Sequence, residues 1–304
     1  MHLRTALIAG VALLSTLLTA GAAAAPSVDE LAAVLWRYND AAETPLPIPT
    51  VEQFEALARG ETVHLRERLD APGSDTAKSK RARVVGFQLV NRPRLLVWLA
   101  TLHAGTTHEP RLLEHRVSVN NDDSSTWYQH LDTPWPVRNR HWVIRSGKNV
   151  AVADQTQDLA WEHRWTLEPR GRDIALNLMI EERFERLEER DYKRTIYLDE
   201  NAGAWTMFAI EDDVTLVATH TTADMGGWLP ERWVAGFVAR QLRSVLRDLE
   251  AKADRIHEHY DPDDPVHNGR GRPITREQLS DARRRFRLSR ERAASAPIDL
   301  APHR

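Results

Sequence analysis

Apolar positions recur at helical spacing at both ends of the chain and every second residue through its middle. Ser27 and Glu30 form a capping box, and Val28, Leu31, Leu35 and Tyr38 follow on one helical face. Pro45, Pro47 and Pro49 mark a rigid loop. Thr50 and Gln53 form a second box, Val51, Phe54 and Leu57 a second stripe, and Gly60 ends that helix. The period then changes to two. Val63, Leu65 and Leu69 alternate with polar residues, as do Val85, Phe87 and Leu89, with a loop at 73–80 between the runs. Asn91-Arg92-Pro93 opens a short apolar helix over Leu95–Leu102, which Gly105 ends. Alternation resumes with Leu113, His115, Val117 and Val119, then with Trp127, Gln129 and Leu131, then with Arg140, Trp142 and Ile144. Leu159, Trp161, His163, Trp165 and Leu167 give the cleanest case, with Ala160, Glu162, Arg164 and Thr166 opposite. Such alternation predicts antiparallel strands with one face buried and one wet.

Ala175–Arg190 is rich in helix formers with Glu and Arg three and four residues apart, which predicts a helix. Strands follow over Trp205–Ile210 and Val214–Thr222, joined by Glu211-Asp212-Asp213. Leu229, Trp233, Phe237, Leu242, Val245 and Leu249 then repeat at helical spacing. At about 1.5 Å per residue, roughly 30 residues predict a helix near 45 Å long. Asp261–Gly271 reads as a linker, and Thr275 with Gln278 caps a last, arginine-rich helix. At least eight strands and one long amphipathic C-terminal helix predict an α+β domain, a curved sheet able to wrap that helix.

Ahead of the first capping box, Arg4 precedes an apolar run over Ala6–Gly21, and Ala22-Ala23-Ala24 offers small residues for cleavage. This is the pattern of a signal peptide cut after Ala24, which predicts an exported, periplasmic protein; an uncleaved anchor is the other reading. The expected organisation is a signal peptide (1–24), N-terminal helices packed on the main domain (25–60), a main domain (61–260), and a basic linker with a partly disordered tail helix (261–304).

Composition narrows the chemistry. The 304 residues contain no Cys, which excludes disulfides, thiolate catalysis and Cys-type metal sites. A net charge of −3 gives no global basic field, so no nucleic-acid partner is expected. G-x-S-x-G and glycine-rich phosphate loops are absent from the sequence, and no cofactor is implied. The basic runs Lys78–Arg83 and Arg283–Arg287 read either as solvated surface or as peripheral contacts with an anionic membrane.

All ten tryptophans lie between Trp36 and Trp233. Large rigid apolar rings with an N–H to offer suit the wall of a cavity as well as a filled core, and the sequence leaves both open. Pro134-Trp135-Pro136-Val137-Arg138-Asn139-Arg140-His141-Trp142-Val143 resembles the segment of START (steroidogenic-acute-regulatory-related lipid transfer) domains that runs from a proline-rich turn into a strand. His141 stands where that family usually has Asp. Gly203-Ala204-Trp205, Thr215 and Asp224-Met225-Gly226-Gly227-Trp228-Leu229-Pro230 resemble the same family's last two strands and the start of its closing helix. The resemblance spans about Gly60–Tyr260, with Ala175–Arg190 as an insertion. It implies a helix-grip fold, a curved antiparallel sheet wrapped around a long C-terminal helix with an internal hydrophobic cavity. It also implies non-covalent binding, and transfer, of a lipid or other hydrophobic small molecule. Some helix-grip relatives act instead as cyclases or aromatases on polyketides, which makes such an enzyme the alternative.

The residues expected to line the cavity are Trp127, Gln129, Arg140, Trp142, Trp161, His163, Trp165, Trp205, Met207, His220, Trp233 and Phe237. No catalytic residue is assigned; in the enzymatic alternative, His163 or His220 would supply the acid or base. His115, His163 and His220 share no ligand spacing, so no metal site is assigned. Each is expected to be hydrogen-bonded inside the protein or to a ligand headgroup. Arg140 is expected either to meet a carboxylate or ligand oxygen, or to reach solvent. The sequence does not define the oligomeric state.

Overall fold

The structure, a computed structural model, describes residues 25–68, 82–102, 111–120, 124–184, 187–224, 231–258, 260 and 266–295. The signal-peptide pattern and most of the first basic run lie outside the described residues. Helices α1 (Val28–Asn39) and α2 (Val51–Ala58) both start at the capping boxes read from the sequence. Strands β1 (Val63–Arg68) and β2 (Ala82–Val90) lead into the apolar helix α3 (Arg94–Leu102). Strands β3 (Leu112–Val119), β4 (Ser125–Leu131) and β5 (Arg140–Lys148) follow, then a short α4 (Val150–Gln155) and β6 (Ala160–Leu167). The remaining elements are α5 (Gly171–Ile180), α6 (Glu189–Arg194), β7 (Ile196–Tyr197), β8 (Glu200–Glu211), β9 (Val214–Asp224), α7 (Glu231–Arg255) and α8 (Arg276–Ser295).

Among the described residues the strands form one curved, open sheet of nine, in the order β1-β2-β9-β8-β6-β5-β4-β3, with β7 added in parallel to β5. All other pairings are antiparallel. The sheet is covered on both faces. On the outer face Leu31, Leu35, Phe54 and Leu57 pack against Val85, Phe87, Phe208 and Leu216. Tyr38 pins α1 there by donating to the buried Glu162 carboxylate, which also accepts from Asn149 Nδ2 at 2.7 Å.

On the inner face α7 crosses β2 at Gly86. A Cβ at this position would lie 3.0 Å from Leu246 Cδ1 and 3.9 Å from Leu242 Cβ, so the missing side chain sets how closely the helix approaches. Leu246, Leu249 and Ala253 of α7 join α3, Trp161, Met207 and Val217 in one filled core. The antiparallel sheet, with a long C-terminal helix gripped against its inner face, is the helix-grip arrangement expected from the sequence.

The described part of α7 has 25 residues, and the expected start of this helix at Leu229 lies outside the described residues. Two elements differ from expectation. Ala175–Arg190 is two helices rather than one. The chain leaves α5 with Glu182 at φ +53°, and α6 restarts at a Glu188–Asp191 capping box. Burial of Leu178, Met179 and Leu187 beside Tyr128 and Val143 turns the chain back over β4 and β5 and overrides its helix propensity. The last helix, α8, is not a free tail element: Leu279 and Ala282 are buried in the core beside α3. Its basic run is held locally. Arg285 pairs with Asp281 at 2.8 Å, Arg284 also meets Asp281, and the Arg92 guanidinium lies 4.2 Å over the Phe286 ring.

Candidate ligand-binding site

The inner face is divided. Beneath α3 and α8 it is filled by Trp98, Trp161 and Met207. Toward β3, β4 and β5 a cavity of about 450 Å³ opens. Its walls are the inward phases of β3–β6, β8 and β9, closed by Leu102 of α3, Leu242 of α7 and the Val266–His267 segment. That segment is the expected linker. It runs back along the domain, where the His267 carbonyl accepts from Trp98 Nε1 at 2.9 Å.

Of the expected lining residues, Trp127, Gln129, Trp142, His163, Trp165 and Trp205 face the cavity. Strand pairing brings them together: Gln129 lies opposite Trp142, Trp165 opposite Gly203, and His163 opposite both Lys148 and Trp205. Gly203 is required there, since a Cβ would collide with the Trp165 ring and the His220 carbonyl.

Four expected lining residues are placed elsewhere. Trp161 and Met207 have the inward phase but lie in the filled half. The Trp161 ring is covered by the Arg94 guanidinium at 3.9 Å and meets Trp98 edge-on at 5.6 Å. Arg140, at the first position of β5, is buried and turns back to donate to the carbonyl of Arg138. His220 lies in the same phase as Leu216 and Ala218, which face α1 and α2 across the outer face. Because β9 is buried on both faces, its apolar pattern cannot say which way a residue points. Trp233 and Phe237 belong to α7, but their side chains lie outside the described residues.

Strand β3 is read in the opposite phase from that expected. Leu112, Glu114, Arg116 and, after a bulge, Val119 face the cavity. His115 instead meets Phe184 of the insertion, edge-on with ring centroids 5.2 Å apart. This is an edge strand whose apolar outward phase the insertion covers. The three histidines therefore occupy two faces of the sheet. Among the described residues no group of His, Asp or Glu is arranged to hold a metal.

Two of the cavity tryptophans, Trp142 and Trp165, give their N–H groups to neighbouring side chains rather than leaving them for a guest. Trp142 Nε1 donates to Gln129 Oε1 at 2.5 Å, and Gln129 Nε2 donates in turn to Glu114 Oε1 at 2.5 Å. Trp165 Nε1 donates to Asn201 Oδ1 at 3.0 Å. The Trp142 and Trp165 rings are thus fixed in the wall by neighbouring side chains. His163 has its pKa lowered to about 4, by burial first and then by the Lys148 charge, so its ring is neutral at neutral pH.

Fold and cavity together describe a helix-grip arrangement with an aromatic-walled cavity on the inner face of its sheet. Among solved structures the chain is similar to a STAR-related lipid transfer protein from Xanthomonas axonopodis, at 18% identity and a TM-score of 0.43 over 61% of this chain and 96% of that one. It is similar also to human StAR-related lipid transfer protein 5, at 12% identity and a TM-score of 0.46 over 65% and 84%. A third is the Zhui aromatase/cyclase from Streptomyces sp. R1128, at 12% identity and a TM-score of 0.36 over 61% and 99%. No protein-family model and no curated protein matches the chain.

Proposed function

We propose that this protein binds one lipid or other hydrophobic small molecule non-covalently in the cavity, and carries it between membranes of the cell envelope. The observation that carries this reading is the unfilled volume of about 450 Å³ walled by Trp127, Trp142, Trp165 and Trp205. Each methylene moved from water into such walls contributes about 0.8 kcal/mol, which favours a guest with an apolar body. The signal-peptide pattern at residues 1–24 supports the envelope as the compartment.

The enzymatic alternative loses one of its two expected acid–base groups, because His220 faces away from the cavity; His163 alone faces it. Its wall carboxylate, Glu114, already accepts from Gln129. Native mass spectrometry of the freshly purified chain tests the carrier reading, with quenching of tryptophan fluorescence by single-chain lipids as its titration. One retained guest of a few hundred daltons and saturable quenching are expected. Guest-free protein with no saturable quenching would rule the reading out.

A further inference from the structure

We propose that His163 is the hydrogen-bonding anchor of the cavity, and that the guest it selects carries a neutral oxygen, a hydroxyl or a carbonyl, on an otherwise apolar body. This rests on the carrier reading and names the ligand class for the same cavity. His163 sits where the hollow half of the inner face meets the filled half. Its ring meets Trp98 edge-on at 6.2 Å, while its strand neighbours Lys148 and Trp205 line the cavity. Among the described residues it has no hydrogen-bond partner, although a polar ring in an apolar wall needs one.

Several other polar groups of the wall are already taken: Trp142 Nε1 donates to Gln129, Trp165 Nε1 to Asn201, Thr101 Oγ1 to the carbonyl of Trp98 at 2.8 Å, and Lys148 and Glu114 are engaged. Arg116 is exposed at the rim. Thr219, opposite Trp205 on β9, also lines the cavity, two strands from His163. A neutral imidazole has one donor and one acceptor nitrogen, which match a hydroxyl fully and a carbonyl through the donor. It brings no charge of its own to a carboxylate.

The test is a titration of the full-length protein with dodecan-1-ol, dodecane and dodecanoate, followed by tryptophan fluorescence, for the native sequence, His163→Phe and His163→Gln. The expected result is that His163→Phe weakens dodecan-1-ol about fivefold, the loss of one neutral hydrogen bond, and leaves dodecane unchanged or tighter. His163→Gln retains part of the alcohol affinity. Unchanged dodecane binding also shows that the variants are folded. Equal effects on alcohol and alkane, or a larger loss for dodecanoate than for dodecan-1-ol, would overturn the assignment and leave the carrier reading standing. No saturable binding of any probe to the native sequence would overturn both.

Discussion

Individual side chains in this protein are set more by what covers them than by their own polarity. His141 illustrates this at the outer face. It is 1% exposed, within 3.4 Å of the Tyr128 hydroxyl and edge-on to the Tyr192 and Tyr197 rings. Burial, then the neighbouring His130 and Arg172, lower its pKa to about 4. In the unfolded chain the value is about 6.5, so as pH falls the unfolded state takes up the proton first. Stability is therefore lost progressively from about pH 6.5 down to about 4, by on the order of 3 kcal/mol for this one residue. Thermal melts of His141→Phe between those pH values are expected to show a shallower decline than the native protein; parallel curves would contradict the assignment. A second residue-scale prediction concerns Gly203. Gly203→Val would force the Trp165 ring out of the cavity wall, and guest affinity measured by quenching is expected to fall at least tenfold. The sequence shows Trp127, Gln129, Trp142, Trp165 and Trp205 as wall residues because they lie in the inward phase of their strands. It misplaces His220 because a strand buried on both faces carries no directional signal. Hydrogen bonds between wall side chains are long-range pairings that no local pattern encodes.

Helices, rather than strands, decide how far the interior is filled. Gly86 lets α7 lie close on β2, and Gly86→Val is expected to lift the helix at Leu246. Overpacking of this kind costs about 1–3 kcal/mol, readable as a lower urea midpoint, and should speed release of a bound guest. An unchanged midpoint would mean that the helix is not held there. The tail helix α8 has a similar role. Arg92 joins the two helices, bonding Asp254 of α7 at 2.6 and 2.8 Å and covering Phe286 of α8. Removing residues 276–304 exposes the core under Leu279 and Ala282, with an expected loss of about 2–3 kcal/mol in denaturant unfolding. A truncated protein as stable as the full chain would show that α8 is not part of the core. Capping boxes and apolar stripes make α1, α2, α3 and α7 legible in the sequence. The break between α5 and α6 is hidden, because good helix formers fill 181–188 and only their packing over β4 and β5 interrupts them. The partnership of α8 with α3 is hidden for a related reason: a helix so rich in arginine shows too narrow an apolar stripe to announce a buried face.

At the scale of the whole molecule, the sheet has to be sealed on one side before the other can be hollow. Helices α1 and α2 bury the outer face around Phe87 and Phe208, and α3, α7 and α8 fill half of the inner face. What remains is a cavity in which Trp142 is held by Gln129 and Glu114, and Trp165 by Asn201. Sequence periodicity and the START resemblance anticipate this architecture, while the boundary between filled and hollow halves emerges only from the helices packed across it. The most direct test is anomalous diffraction from crystals soaked with 12-bromododecan-1-ol. The account predicts one bromine peak inside the space bounded by Trp127, Trp142, Trp165 and Trp205. Electron density showing those rings collapsed together, with no bromine between them, would contradict it.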